Sequence, residues 1–256
     1  MRFTGLHRLR ICFLLLTSLV AAGAVSAGPM DLSPEKREQM KSLAMDMRRE
    51  TLRERDELMR ARWALFQVYL DYDLDDRKAK AAQERVDKSQ RDLLNAYLDH
   101  QLAIRRILNR EEFESLWSRI GSRGGSPMMA GQWYEEGSLD HLLGKIPPDR
   151  LGLPPNRLKA IKNDQLGPRR RKVMEDLKRD TRRLIELYSS YDLDANAARK
   201  LIESIHGSQR DLADLNHKRQ HSLRSVLTRE QFERLSGELV KKMRERRPGR
   251  RPGQDP

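Results

Sequence analysis

Two histidines near the end of the chain are the residues whose types and spacing could most directly do chemistry. His217 and His221 are four residues apart, so on a helix they lie on one face and could bind one metal ion together. Asp214 lies one helical turn earlier and adds a carboxylate. Such ligands suit Zn²⁺, Ni²⁺ or Cu²⁺. The alternative is a solvated polar face without an ion, and His206 is expected on this same outer face.

No arrangement of residues in the sequence is typical of an enzyme active site. The chain has no G-x-S-x-G nucleophile motif, no H-E-x-x-H zinc motif and no Gly-rich phosphate-binding loop. Its single cysteine, Cys12, lies near the N-terminus, so the rest of the chain offers no thiol chemistry, disulfide or Cys-ligated zinc. Carboxylate pairs are numerous, but they are expected on solvated faces where 35% of residues are charged. We therefore expect a protein that is not an enzyme.

The composition indicates that long helices position these residues. With 35% charged and only 5% aromatic residues, the chain is too polar for a thick globular core and suits helices with narrow, coiled-coil-like apolar seams. Strand-like runs of alternating Val, Ile, Thr and Tyr do not occur in the sequence. Apolar residues recur at helical spacing instead, for example at Met40, Met47, Leu58, Ala61 and Leu65. We predict an all-α fold.

One segment of the sequence occurs twice. Residues 69–117 and 188–236 align at an offset of 119 with 20 identities in 49 positions and no gap. We predict two copies of a long antiparallel helical hairpin with a short capping helix, packed on each other as an intramolecular pseudo-dimer. The histidine pair is not duplicated, because copy one has Leu98 and Leu102 at the matching positions.

A repeated hexapeptide, LNREEF at 108–113 and LTREQF at 227–232, has a structural explanation. Thr228 as N-cap and Gln231 three residues later form a capping box, in which each side chain accepts from the other residue's backbone N–H. Leu227 and Phe232 occupy the two positions of a hydrophobic staple. In copy one the same four roles fall to Leu108, Asn109, Glu112 and Phe113. The motif is therefore expected to start the short helix of each copy.

The ends and the middle of the chain are expected to lie outside the hairpins. Residues 1–27 combine three arginines, an apolar run and a small-residue cleavage site near Ala27, which is typical of a signal for export to the periplasm. An uncleaved N-terminal membrane anchor is the alternative. We expect the hairpin repeats at 28–120 and 151–240, a Gly/Pro-rich linker at 121–150 and a disordered basic tail at 241–256.

The net charge limits the class of partner. The chain carries 51 Lys and Arg against 38 Asp and Glu, a formal charge of +13. Loss of residues 1–27 would remove three arginines and no acid, leaving +10. A basic balance often indicates nucleic acid, but export argues against that partner. Acidic protein clients or anionic envelope surfaces fit better.

The N-terminal segment, the helical hairpins and the residues Leu227, Thr228 and Gln231 together resemble the LTxxQ-motif periplasmic family. That family includes the Spy and CpxP envelope-stress chaperones and the ZraP-like heavy-metal-resistance and sensor proteins. The resemblance implies an all-α fold with a concave surface, often built by a dimer. Copy one departs from the motif with Asn109 and Glu112. A tandem duplication also differs from the single-unit members, so the chain is expected to be a monomeric pseudo-dimer or a homodimer.

The resemblance also implies where a sensor-type metal site would lie. In sensor members, a ligand histidine precedes the motif leucine by two turns and a methionine precedes it by one. Here those positions hold His100 and Ile104 in copy one and Arg219 and Leu223 in copy two. Because the methionine is not present, we expect His100 to face the apolar seam and to pair with an acid such as Glu50 or Glu54.

Three functions remain open from the sequence. The first is an ATP-independent chaperone or envelope-stress adaptor that holds unfolded or acidic clients on a basic concave surface and signals to a membrane sensor protein. The second is a periplasmic Zn, Ni or Cu binding protein for heavy-metal resistance or sensing. The third is a structural envelope protein. Apart from a Zn, Ni or Cu ion, the sequence indicates no cofactor.

Overall fold

The computed structural model describes residues 32–121 and 166–245, and in these two ranges the chain is helical without strands. The export signal, the linker and the end of the basic tail fall on residues outside these ranges. Copy one consists of α1 (Pro34–Tyr69), α2 (Asp76–Ile107) and α3 (Arg110–Gly121). Copy two consists of α4 (Leu166–Ser189), α5 (Ala195–Val226) and α6 (Arg229–Glu245). The all-α prediction is confirmed.

Local sequence explains where the helices begin. The Ser33 hydroxyl accepts from the Lys36 N–H, with Pro34 at the first helical position. Asp75 caps α2 by accepting from the Arg77 and Lys78 N–H groups, and Asp194 caps α5 in the same way. These aspartates belong to the repeated YDLD block. The block therefore ends one long helix and starts the next.

The hexapeptides act as capping boxes in both copies. The Gln231 N–H donates to Thr228 Oγ1 (3.3 Å), and the Thr228 N–H donates to Gln231 Oε1 (3.2 Å). In copy one the matching distances are 2.9 Å and 2.8 Å between Asn109 and Glu112. The staple residues Leu227 and Phe232 lie in one buried cluster, and Leu108 and Phe113 lie in another. The prediction for this motif is confirmed.

The core extends along the helical seams. α1 packs on α2, α4 packs on α5, and α2 also contacts α5, so the two hairpins meet through their second helices. The largest buried cluster spans both copies and includes Leu94 and Leu98 from α2 together with Leu177, Leu184 and Ile202 from copy two. Smaller clusters surround Phe113 and Phe232 at the capping helices. Burial of this kind, rather than helix propensity, is the main stabilisation available to such helices.

Contacts between the copies recur in pairs related by the offset of 119. Arg105 of α2 donates to the carbonyls of Tyr188 (2.7 Å), Ser190 and Tyr191 at the end of α4. Its counterpart Arg224 of α5 donates to the carbonyls of Tyr69 (3.0 Å), Asp71 and Tyr72 at the end of α1. Each arginine thus caps the C-terminus of the first helix of the other copy. The last turn of that helix has no basic residue of its own.

A second pair of contacts follows the same rule. Arg110 lies 2.5 Å from Asp192, and Arg229 lies 2.7 Å from Asp73. The rings of Phe113 and Tyr191 meet edge-on at 5.8 Å, as do those of Tyr72 and Phe232 at 5.7 Å. All of these residues are identical between the copies. The identical positions therefore include many that hold the two copies together.

The last described helix extends into the segment that the sequence assigned to the basic tail. α6 continues to Glu245, so residues 241–245 are helical rather than disordered. The reason is local, because Lys, Met, Arg and Glu favour helix and no Pro or Gly interrupts before Pro248. The expected boundary at 241 is wrong for these five residues.

Candidate functional site

Three side chains that could bind a metal ion meet where the start of α2 approaches the second half of α5. His221 Nε2 lies 2.8 Å from Asp76 Oδ1, His217 Nε2 lies 3.3 Å from the same oxygen, and the two Nε2 atoms are 3.4 Å apart. Among the described residues, this is the group of His, Cys, Asp and Glu whose ligand atoms converge closely enough for one ion. We refer to Asp76, His217 and His221 as the His–Asp triangle.

The composition of this triangle differs from the sequence prediction in one residue. His217 and His221 do share a helix face, but the third member is Asp76 of copy one, not Asp214. Asp214 is exposed on α5. A helix-face argument considers only one helix, whereas the Asp76 carboxylate comes from the neighbouring copy. Its position at the start of α2 follows from the Asp75 cap.

A hydrogen-bonded chain behind the triangle orients His217. Tyr69 Oη lies 3.4 Å from His217 Nδ1 and accepts from Gln83 Nε2 at 3.0 Å. Gln83 Nε2 also donates to the Ala213 carbonyl of α5 at 3.2 Å. Tyr69 therefore occupies the ring nitrogen that points away from the triangle, which leaves Nε2 directed at Asp76 and His221.

Electrostatics at His217 favour the neutral ring. Burial lowers the pKa of His217, and the neighbouring His221 lowers this pKa further, while Asp76 and Asp214 oppose the shift. Burial also raises the pKa of Tyr69, so its hydroxyl stays protonated at neutral pH. The ring of His217 is mostly covered, with 23% of its side chain exposed, and that of His221 is half-exposed. The triangle is thus reachable from solvent on the side of His221.

His206 is buried, which corrects the sequence-based assignment to an outer face. Its side chain is fully covered, and its Nε2 lies 2.7 Å from Asp87 Oδ1. The nearby Arg91 guanidinium lies 3.4 Å from His206 Nδ1. Asp87 and His206 are equivalent positions at the offset of 119, so this pair lies where α2 and α5 cross. The prediction failed because α2 covers that side of α5.

His100 occupies the seam of copy one as predicted. It is buried, and its Nε2 lies 2.8 Å from Glu50 Oε2 on α1. This contact confirms the expected acid partner, Glu50. Its counterpart Arg219 is also buried. In the SQRDL blocks, the glutamines Gln90 and Gln209 are buried, and Asp92 pairs with Lys88 at 2.6 Å.

An exposed apolar stripe runs along α1. Met45, Leu52, Met59 and Trp63 are 42–52% exposed, unlike the seam residues of the same helix. Their spacing places them within about 40° of one another around the helix and over a length of about 27 Å. We refer to these four residues as the α1 stripe. Met40 and Met47, which lie on the same helix, are buried in the seam instead.

Copy two carries charges where copy one carries the stripe. The positions equivalent to Leu52, Met59 and Trp63 are Arg171, Lys178 and Arg182, and all three are exposed. Further exposed basic residues of α4 are Arg169, Lys172, Arg179 and Arg183. At these positions the first helices of the two copies therefore differ, with apolar side chains on α1 and basic side chains on α4.

Comparison of the chain with protein-family models, with curated proteins and with solved structures finds no match. In the two described ranges, no helix combines the length and the apolar content needed to cross a membrane.

Proposed function

We propose that the protein is an exported periplasmic helical chaperone or stress adaptor of the Spy/CpxP type, which holds partly unfolded acidic clients without ATP. The observation that carries this proposal is the α1 stripe. Soluble helices seldom leave four large apolar residues exposed on one face unless that face contacts a partner. Among the described residues, the large exposed apolar side chains are these four, and all lie on α1.

The chemistry of the client follows from the side chains of the stripe and from the charge of the chain. Methionine side chains adapt to varied apolar surfaces, which suits a binder of many sequences. The net charge, which is +10 after loss of residues 1–27, and the basic face of α4 attract acidic polypeptides over a distance of about 8 Å at physiological salt. An unfolded acidic chain offers both apolar side chains and negative charge.

The binding energy expected from the stripe is modest. Each of its four side chains retains about half of its exposure. Covering the remainder contributes about 1 kcal/mol per side chain, because full burial is worth about 1.5–3 kcal/mol. The four together give roughly 4 kcal/mol before the cost of ordering the client. Such weak binding allows release without an energy source.

Suppression of client aggregation tests the proposal. The purified chain is added at stoichiometric excess to an acidic client that aggregates on reduction, and light scattering is followed without metal. The stripe variant M45Q/L52Q/M59Q/W63Q keeps helix-favouring residues and adds no charge. We expect the wild type to suppress scattering and the stripe variant to lose most of this effect.

A matched variant on copy two separates the two surfaces. R171Q/K178Q/R182Q changes the three equivalent positions on α4 and leaves the stripe intact. We expect this variant to bind acidic clients more weakly, above all at low salt, and neutral clients as well as the wild type does. If the wild type does not suppress scattering, or if the stripe variant matches it, client binding by this surface is refuted.

A further inference from the structure

We propose that Asp76, His217 and His221 form a binding site for one Zn²⁺-like divalent transition metal ion, which joins the two copies of the hairpin. This inference goes beyond client binding and does not depend on it. It rests on the distances between three ligand atoms, on the side chains behind them and on a comparison with the equivalent positions of the other copy.

The three ligand atoms are spaced for tetrahedral coordination. The sides of the triangle measure 2.8, 3.3 and 3.4 Å. A circle through the three atoms has a radius of about 1.8 Å, slightly less than the Zn–N and Zn–O distances of about 2.0–2.2 Å. An ion a little above the plane therefore reaches all three atoms at normal bond lengths. The fourth position then points away from the triangle.

The donor set selects the class of ion. Two imidazole nitrogens and one carboxylate oxygen suit Zn²⁺, Ni²⁺ or Cu²⁺, whereas Ca²⁺ and Mg²⁺ prefer sites made of oxygen ligands. Three protein ligands with an open fourth position are typical of accessible zinc sites rather than closed structural ones. The partly exposed ring of His221 gives an ion a route to the site.

Groups behind the ligands hold the rings in the required orientation. A ligand histidine usually donates its other ring N–H to an oxygen, which fixes the tautomer. Tyr69 Oη occupies this position at 3.4 Å from His217 Nδ1, and Gln83 anchors Tyr69 in turn. Tyr69 and Gln83 belong to copy one, so the second layer also crosses between copies.

The equivalent positions at the other end of the interface between α2 and α5 carry residues that cannot bind a metal ion. The counterparts of Asp76, His217 and His221 are Ala195, Leu98 and Leu102, and the counterpart of Gln83 is Ile202. Leu98, Leu102, Ile202 and Tyr188 all belong to the main apolar cluster. The Tyr188 hydroxyl, equivalent to that of Tyr69, has no hydrogen-bond partner within the described ranges. Four positions thus differ together, and each change introduces a ligand or a group that supports one.

The consequence of the site is a link between the copies. Asp76 comes from copy one and both histidines come from copy two, so an ion binds only when α2 and α5 are docked. Metal binding then stabilises the docked state by mass action. Within the described ranges the site occurs once, because the equivalent positions at the other end of the interface are apolar.

Calorimetric titration of the purified chain with Zn²⁺, and in parallel with Ni²⁺ and Cu²⁺, tests the site. We expect one ion per chain with a Kd below about 100 μM. We also expect H217A and H221A each to weaken binding by at least about 100-fold, and D76N and Y69F to weaken it by at least about tenfold. D214N is the matched control and should bind as the wild type does. Circular dichroism verifies that each variant is folded.

A second readout is independent of the titration heat. Zn²⁺ should raise the Tm of the wild type and of D214N, but not that of H221A or D76N, because only the intact triangle couples the ion to docking. The proposal is overturned if no ion binds more tightly than about 100 μM. It is also overturned if D76N binds like the wild type, if D214N loses binding instead, or if the bound ions are unaffected by the histidine variants.

Discussion

The interlocking arginines give the sharpest prediction about stability. Arg224 donates to three carbonyls at the end of α1, to the Gln220 carbonyl at 2.7 Å, and stacks on Phe232 at 4.3 Å. These contacts form in a site partly shielded from water, and this burial lowers the pKa of Arg224. Replacement by methionine keeps much of the side-chain volume and removes every donor.

The expected loss can be worked from these contacts. A hydrogen bond to a charged group contributes about 1.5–3 kcal/mol net when buried, and half-exposure reduces that figure. R224M removes the donor to all four carbonyls, although the Tyr72 carbonyl still accepts from the Leu74 N–H. Water also reaches part of the space, so we expect the free energy of unfolding to fall by about 3 kcal/mol. R224K keeps the charge but cannot reproduce the planar fork, and should lose about 2 kcal/mol.

Urea unfolding followed by circular dichroism measures both values. The exposed neighbour of Arg105, Arg106, supplies a control, because R106M should stay within about 0.5 kcal/mol of the wild type. R105M should resemble R224M, since Arg105 makes the equivalent contacts on copy two. If R224K is within about 0.5 kcal/mol of the wild type, the fork of hydrogen bonds does not hold the copies together.

Three further predictions concern single contacts. Lys36 donates to Glu112 at 2.8 Å, and this bond, together with the bond from the Asn109 N–H, lowers the pKa of Glu112. E112Q should therefore be less stable than the wild type at pH 7. In unfolding measured at a series of acidic pH values, the difference in the free energy of unfolding should vanish as the pH falls through the pKa of Glu112 in the folded protein. T228A should lower the free energy of unfolding by about 1 kcal/mol in urea, while T228S should not. Leu177 is fully buried in the main cluster, so L177A should cost about 2–5 kcal/mol by thermal unfolding, and L52A on the stripe much less.

Local features of the fold follow from the sequence because their partners lie within a few residues. The capping boxes need only the spacing of Thr228 and Gln231 or of Asn109 and Glu112. The pairing of His100 with Glu50 could be predicted because both residues lie on the seam of one hairpin. Neither prediction requires knowledge of how the two copies meet.

Features that depend on contacts between the copies could not be predicted in this way. His206 was placed on an outer face because a single helix gives no sign that α2 covers it. Asp76 was missed as the third member of the triangle for the same reason. One signal was available, since Arg105 and Arg224 are identical at the offset of 119 within otherwise variable stretches. In this chain several identical polar positions, among them Arg105 and Arg110, contact the other copy.

The fluorescence of Trp63 tests the central claim most directly. The chain has three tryptophans, so W117F/W133F leaves only Trp63, which lies on the α1 stripe and is 42% exposed. An unfolded acidic polypeptide that contains no tryptophan serves as client, and its binding is followed separately by anisotropy of a dye on the client. We predict that binding shifts the Trp63 emission to shorter wavelength and protects it from acrylamide. A client that binds while Trp63 emission and quenching stay unchanged would contradict client binding by the stripe.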